Sequence, residues 1–213
     1  MKTLFASHPP TNARQRVALV LMGAWIAGTI CTSVVAAENF YTIDRLLAGS
    51  PNSAFRAAVQ QLGQPLARDL LRFLSSELNR LFFQIWNLAQ LAIGALALWS
   101  IAPVRSRRRS GDRDGTGLSD RPAAWGVVAM LAIVVAMLAW LTPAIVSLGR
   151  TLDFVPRDPA PPGMRQFWIL HAAYTSLETI KLLIGVWVAY RLSLEPPAVR
   201  RSATLSAERT TLT

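Results

Sequence analysis

The sequence predicts an all-α fold: a four-helix transmembrane bundle with an exoplasmic helical extension. Three observations carry that reading. Four apolar runs are each long enough to cross a hydrocarbon core of about 30 Å at about 1.5 Å per residue. Charged residues make up 16% of the 213-residue chain and sit between the runs, whereas a soluble domain carries about 25%. Trp86, Trp99, Trp125, Trp140, Trp168 and Trp187 fall near run ends, where an indole prefers the head-group level. Only Trp25 sits deeper.

Residues 1–16 form a tail with Lys2, Arg14 and Arg16, followed by the first span, 17–37. Lipid offers no partner for backbone N–H and C=O groups, so each run is helical. Val35-Ala36-Ala37 before Glu38 also has the small-residue pattern of a signal-peptide cleavage site. The run of about 21 apolar residues exceeds a signal core of about 7–15, which favours a retained helix. Ala24, Gly28, Thr32 and Ala36 add a stripe of small residues for close helix approach.

Residues 38–80 form the exoplasmic connection, with helical structure over 53–80. Pro51-Asn52-Ser53 predicts a turn with Ser53 as N-cap. A short helix follows to Leu62, with Phe55, Val59 and Leu62 on one face. Gly63 interrupts it, and Pro65 suits a first helical position. From Pro65 to Ser100, Leu66, Leu70, Phe73, Leu74, Leu78 and Leu81 keep helical spacing. The second span, 81–102, is therefore the lower part of one long helix.

A basic loop, 103–122, holds Arg105, Arg107, Arg108, Arg109, Arg113 and Arg121. The third span is 123–148, with a kink expected at Pro143. A proline-rich loop leads to the fourth span, 166–190. Residues 193–213 predict a disordered tail. Arginine is abundant in both tails and in the basic loop, and sparser and offset by Asp153 and Asp158 after the third span. That bias predicts cytoplasmic termini in a bacterial inner membrane. The formal net charge of +10 thus points to topology and anionic lipid, and nucleic acid is not expected.

The candidate functional residues lie inside the spans. Phe167, His171, Tyr174, Glu178, Lys181 and Gly185 share one face of the last helix. An ionised group at that depth costs at least about 2.5–3.5 kcal/mol, so this face should look into the bundle with Glu178 and Lys181 paired. Gln84, Asn87 and Gln90 of the second span fall at matching depths, which predicts that the second and fourth helices are neighbours. The seven residues His171, Tyr174, Glu178, Lys181, Gln84, Asn87 and Gln90 form the expected intramembrane polar cluster. All lie in the outer half, and the inner halves are almost wholly apolar. Such asymmetry suits an outward-facing pocket better than a continuous pathway. Structural hydrogen bonding across helices, worth about 0.6 kcal/mol each, is the competing account.

Only His8 and His171 are histidines, and Cys31 is the only cysteine. No haem, metal or other cofactor site is expected, and no disulfide within the chain. No phosphate-binding loop or hydrolase motif is present.

Glu38-Asn39-Phe40, Asp44-Arg45-Leu46-Leu47, Ser76 to Arg80 leading to Trp86 and Gln90, and Leu170-His171 through Tyr174 to Glu178 and Lys181 resemble uncharacterised bacterial four-helix membrane proteins. These are similar to the bacterial side of a transmembrane domain-of-unknown-function family with eukaryotic members. The resemblance covers about residues 15–192. It implies four retained spans and no established reaction. The leading expectation is a non-enzymatic assembly or interaction component, with a membrane-protein partner or a second copy of itself. The alternative is a small transporter or ligand-binding membrane protein using the outer polar pocket, with Glu178 and Lys181 as its charged centre.

Overall fold

The computed structural model describes residues 13–101 and 121–194. The expectations for Lys2, for Arg105 to Arg113 of the basic loop and for a disordered C-terminal tail lie outside those residues. The described residues form helices α1 (Ala13–Gly49), α2 (Ser53–Leu62), α3 (Gln64–Ile101), α4 (Arg121–Ala136), α5 (Thr142–Thr151) and α6 (Met164–Ser193), with no strand among them. A π turn, Met137–Leu141, joins α4 to α5, so Arg121–Thr151 is one continuous rod of 31 residues. This rod, α1, α3 and α6 are all long and apolar enough to cross a membrane. The chain is an all-α bundle with the composition of a multi-pass membrane protein.

The four rods pack in the cyclic order α1, α3, α4–α5, α6, each touching the next, and α6 closes the ring against α1. The second and fourth spans were expected to be neighbours. They stand diagonally instead, and meet through long side chains that cross the bundle axis. Chain order produces this arrangement, because consecutive elements usually pack beside each other.

The core at the end where α1 begins and α6 finishes is mainly apolar. Ala18, Met22 and Trp25 of α1 meet Ala97 and Ile101 of α3, Val127, Met130 and Val134 of α4, and Val188 and Leu192 of α6. Trp25 is fully buried there, which fits its position deep in the first apolar run. Trp86 departs from the expected aromatic belt. Its ring lies on Gly28 of α1, where an added Cβ would fall 2.0 Å from Trp86 Cη2. The small-residue stripe of α1 thus receives an indole from α3.

At the opposite, hairpin end, α1 does not stop at residue 37 but runs on to Gly49. The 37 residues of α1 and the 38 of α3 make rods of about 55 Å. Both overhang the α4–α5 rod and α6. Asn79 binds them together: its Nδ2 donates to the Ala36 carbonyl at 3.0 Å, and its Oδ1 accepts from Asn39 Nδ2 at 2.6 Å. Ser75 Oγ donates to the Asn39 carbonyl at 3.1 Å. Phe55 and Val59 of α2 then cover Ile43, Leu47, Ala67 and Leu71 at the tip. The N-cap of α2 is Asn52, not Ser53: Asn52 Oδ1 accepts from the Phe55 N–H at 2.8 Å. Ser53 is the first helical residue, one position too late to cap.

The kink expected at Pro143 takes the form of the π turn just before it. In a regular α-helix the Pro143 ring would collide with the carbonyl of Ala139. The wider turn, with the Thr142 N–H bonded to the Met137 carbonyl, accommodates the ring without breaking the rod.

Candidate functional site

The buried stripe of α6 is Tyr174, Glu178, Lys181, Gly185, Val188 and Leu192, the face read from the sequence. Lys181 is fully buried, as are Asn87 and Gln90 of α3. Lys181 Nζ donates to Glu178 Oε1 at 2.9 Å along its own helix and to Gln90 Oε1 at 2.6 Å across the bundle. The ammonium is thereby held between a carboxylate and an amide carbonyl, the arrangement that makes a buried charge tolerable.

Other polar atoms of this layer lack such partners. Both side-chain polar atoms of Asn87, Gln90 Nε2, Glu178 Oε2 and the Tyr174 hydroxyl are buried without a hydrogen bond. The Tyr174 hydroxyl lies beside Asn87 and Glu178 without reaching hydrogen-bond geometry to either.

Above this layer, towards the hairpin end, lies a cavity of about 140 Å³ between α3, α5, α6, Phe40 of α1 and the loop that follows α5. Tyr174 and Thr142 line its deep end, and Phe83, Ile145, Val146 and Phe167 its walls. Phe83 meets the Tyr174 ring edge-on, with centroids 5.2 Å apart. Tyr174 therefore serves two levels: its ring floors the cavity, and its hydroxyl reaches into the buried layer beneath.

Arg80, Asp153 and Arg157 line the mouth. Arg80 pairs with Glu77 on its own helix and with Asp153 at 3.3 Å. Arg150 Nε approaches Glu77 at 3.7 Å. Gly149 makes room for this cluster, since a Cβ there would sit 3.3 Å from Arg80 Nη2 and 3.4 Å from Phe167 Cε2.

The seven residues predicted as one cluster thus separate. Asn87, Gln90, Glu178 and Lys181 form the sealed layer, and Tyr174 joins it to the cavity. His171 is not in that layer. It lines the cavity wall and is partly open, its ring stacked on Phe167 at 6.1 Å and edge-on to Trp168 at 5.8 Å. Gln84 joins neither group, because it is exposed on the outer side of α3. At about 100° per residue it lies about 60° from Asn87 and about 120° from Gln90. Phe83 shares their face instead.

Sequence reasoning missed Arg80, Asp153, Arg157 and Phe83 as parts of a site. Phe83 was recoverable from the α3 stripe of Ser76, Asn79, Phe83, Asn87 and Gln90. The loop residues Asp153 and Arg157 carry no periodic signal. Among the described residues, no group of three His, Cys, Asp or Glu side chains converges to hold a metal ion. No family model matches the chain, and neither a curated protein nor a solved structure does.

Proposed function

We propose that the chain is a bacterial inner-membrane protein that binds a small ligand in the hairpin-end cavity, with both termini cytoplasmic and the cavity facing outward. The single observation supporting this is the cavity itself: apolar walls from four helices beneath a mouth of charged groups, the make-up of a small-molecule site. The arginine bias of the tails and the basic loop supports the orientation.

In this reading the ligand site lies further out than the Glu178–Lys181 centre that the sequence suggests. Glu178 and Lys181 bond to each other below Tyr174 and Lys181 also bonds to Gln90, so in this reading the pair serves the site by tying α6 to α3. Tyr174, His171, Arg80 and Arg157 are the residues that face a bound molecule. Filling the cavity by Ile145→Trp tests this reading. Compounds from a small-molecule panel that raise the melting temperature of the purified protein should not raise that of the variant. Equal stabilisation of both proteins would place the site elsewhere.

A second reading, an assembly component, is favoured by a separate observation. On the overhang of α3, Leu66, Leu70, Phe73 and Leu74 are exposed and lie on one side of the helix. Leu70→Arg combined with Leu74→Arg should release a co-purifying partner, or shift the mass of a self-assembled form, if that face docks another chain. An unchanged complex removes this reading.

A further inference from the structure

We propose that the cavity takes a single-chain anionic amphiphile, its carboxylate or monophosphate held at the mouth by Arg157 and its chain between Phe83, Ile145 and Phe167. This rests on the ligand-binding reading above and adds the chemical class of the ligand.

Charge at the mouth selects the sign. Its lining carboxylate, Asp153, is engaged with Arg80, and the adjacent Glu77 with Arg80 and Arg150. Arg157 lines the cavity and has no ion pair among the described residues. Its neighbour in sequence, Asp158, does not line it. Arg157 also lies close enough to Arg72 to help lower the basicity of that side chain, an effect in which burial is the larger cause. The uncompensated charge at the entrance is therefore positive. A guanidinium is suited to both candidate head groups, because its paired N–H donors match the oxygens of a carboxylate or a phosphate.

Size and position select the rest. A cavity of about 140 Å³ is close to one of about 150 Å³ that admits a benzene ring. It has room for one short chain and not for two. Trp168, exposed one turn from His171, sets the mouth at head-group depth. An amphiphile in the outer leaflet would meet the site with its charged end level with Arg157 and its chain pointing towards Tyr174.

Equilibrium binding of radiolabelled octanoate to the full chain in nanodiscs, corrected for empty nanodiscs, tests the proposal. Octyl phosphate, octanol and octylammonium serve as competitors. Saturable octanoate binding at one site per chain is expected, displaced by octyl phosphate and not by octylammonium. Preference between the two anions tells a carboxylate ligand from a phosphate ester, and either preference supports the proposal. Arg157→Ala should weaken binding about tenfold, as expected for one lost charge-assisted hydrogen bond, and Arg157→Lys should recover part of it. Octanol binding as tightly as octanoate, with both lost in Ile145→Trp, would overturn the anionic head while leaving the cavity as a ligand site. Octanoate binding that Ile145→Trp leaves unchanged would overturn both readings. So would the absence of saturable binding by every probe, and Arg157→Ala with unaltered affinity overturns the role of that residue.

Discussion

Lys181 of α6 reaches Gln90 of α3 across the bundle axis, Nζ to Oε1 at 2.6 Å, although the two helices are diagonal partners. The contact spans two elements that do not pack along their backbones. A long flexible stem suits that distance, and the Glu178 carboxylate balances the charge at its end.

Removing one member of the pair should therefore cost more than removing both. Lys181→Met leaves Glu178 as a buried unpaired charge, and Glu178→Gln does the same to Lys181. Each is expected to destabilise by about 3–5 kcal/mol, and the double variant should lie nearer the wild type than either single change. Unfolding by SDS titration of micellar protein gives all three values. Additive losses would show that the two groups do not depend on each other.

Tyr174→Phe should stabilise the ligand-free protein. The hydroxyl is buried and makes no hydrogen bond, so its removal relieves a desolvation penalty of about 1–3 kcal/mol. The ring, its edge contact with Phe83 and the cavity floor are all retained. A fall in melting temperature would mean that the hydroxyl has a partner.

Gly28 and Gly23 are five residues apart on α1 and should respond oppositely to alanine. At Gly28 the new methyl collides with Trp86, whereas nothing lies within 4 Å of a Cβ at Gly23. Gly28→Ala is expected to destabilise by roughly 1–3 kcal/mol, as overpacking does. Gly23→Ala should be neutral or slightly stabilising through helix propensity. Equal melting temperatures for the two variants would remove the Trp86 contact from the account.

The first helix should remain attached to the chain. Ala18, Met22 and Trp25 belong to the main core, and α1 continues without interruption through Ala37 and Glu38. Cleavage there would strip the bundle of one of its four rods. Intact-mass measurement of the protein from membranes should find the residues before 38 still joined to the rest. A shorter species beginning at Glu38 would contradict this.

Much of the membrane domain was legible because its grammar is simple. Long apolar runs bounded by charge locate the rods, and the 3.6-residue period locates their inward faces, as Tyr174, Glu178 and Lys181 show. The continuation of α1 to Gly49 was harder to read. Glu38, Asn39, Asp44 and Arg45 look like a polar connection, yet no glycine or proline interrupts residues 38–48, and Ile43 and Leu47 carry an inward stripe onward. Gln84 is hard to place for the opposite reason, since it matches the cluster in depth but not in angle around α3. The diagonal placement of α3 and α6 depends on how four rods close into a ring, and no single helix encodes that. The cavity mouth depends on a loop, where side-chain direction follows local turns and not any period.

The π turn at Met137–Leu141 has a consequence for how this architecture tolerates change. It is a wide turn that absorbs one extra residue locally, because its bond runs from an N–H to the carbonyl five residues back instead of four. The regular part of α4 has no such slack. One residue inserted there would rotate α5 by about 100° and turn Gly149 away from Arg80. The rod therefore has a single expansion joint, placed where the ring of Pro143 needs it.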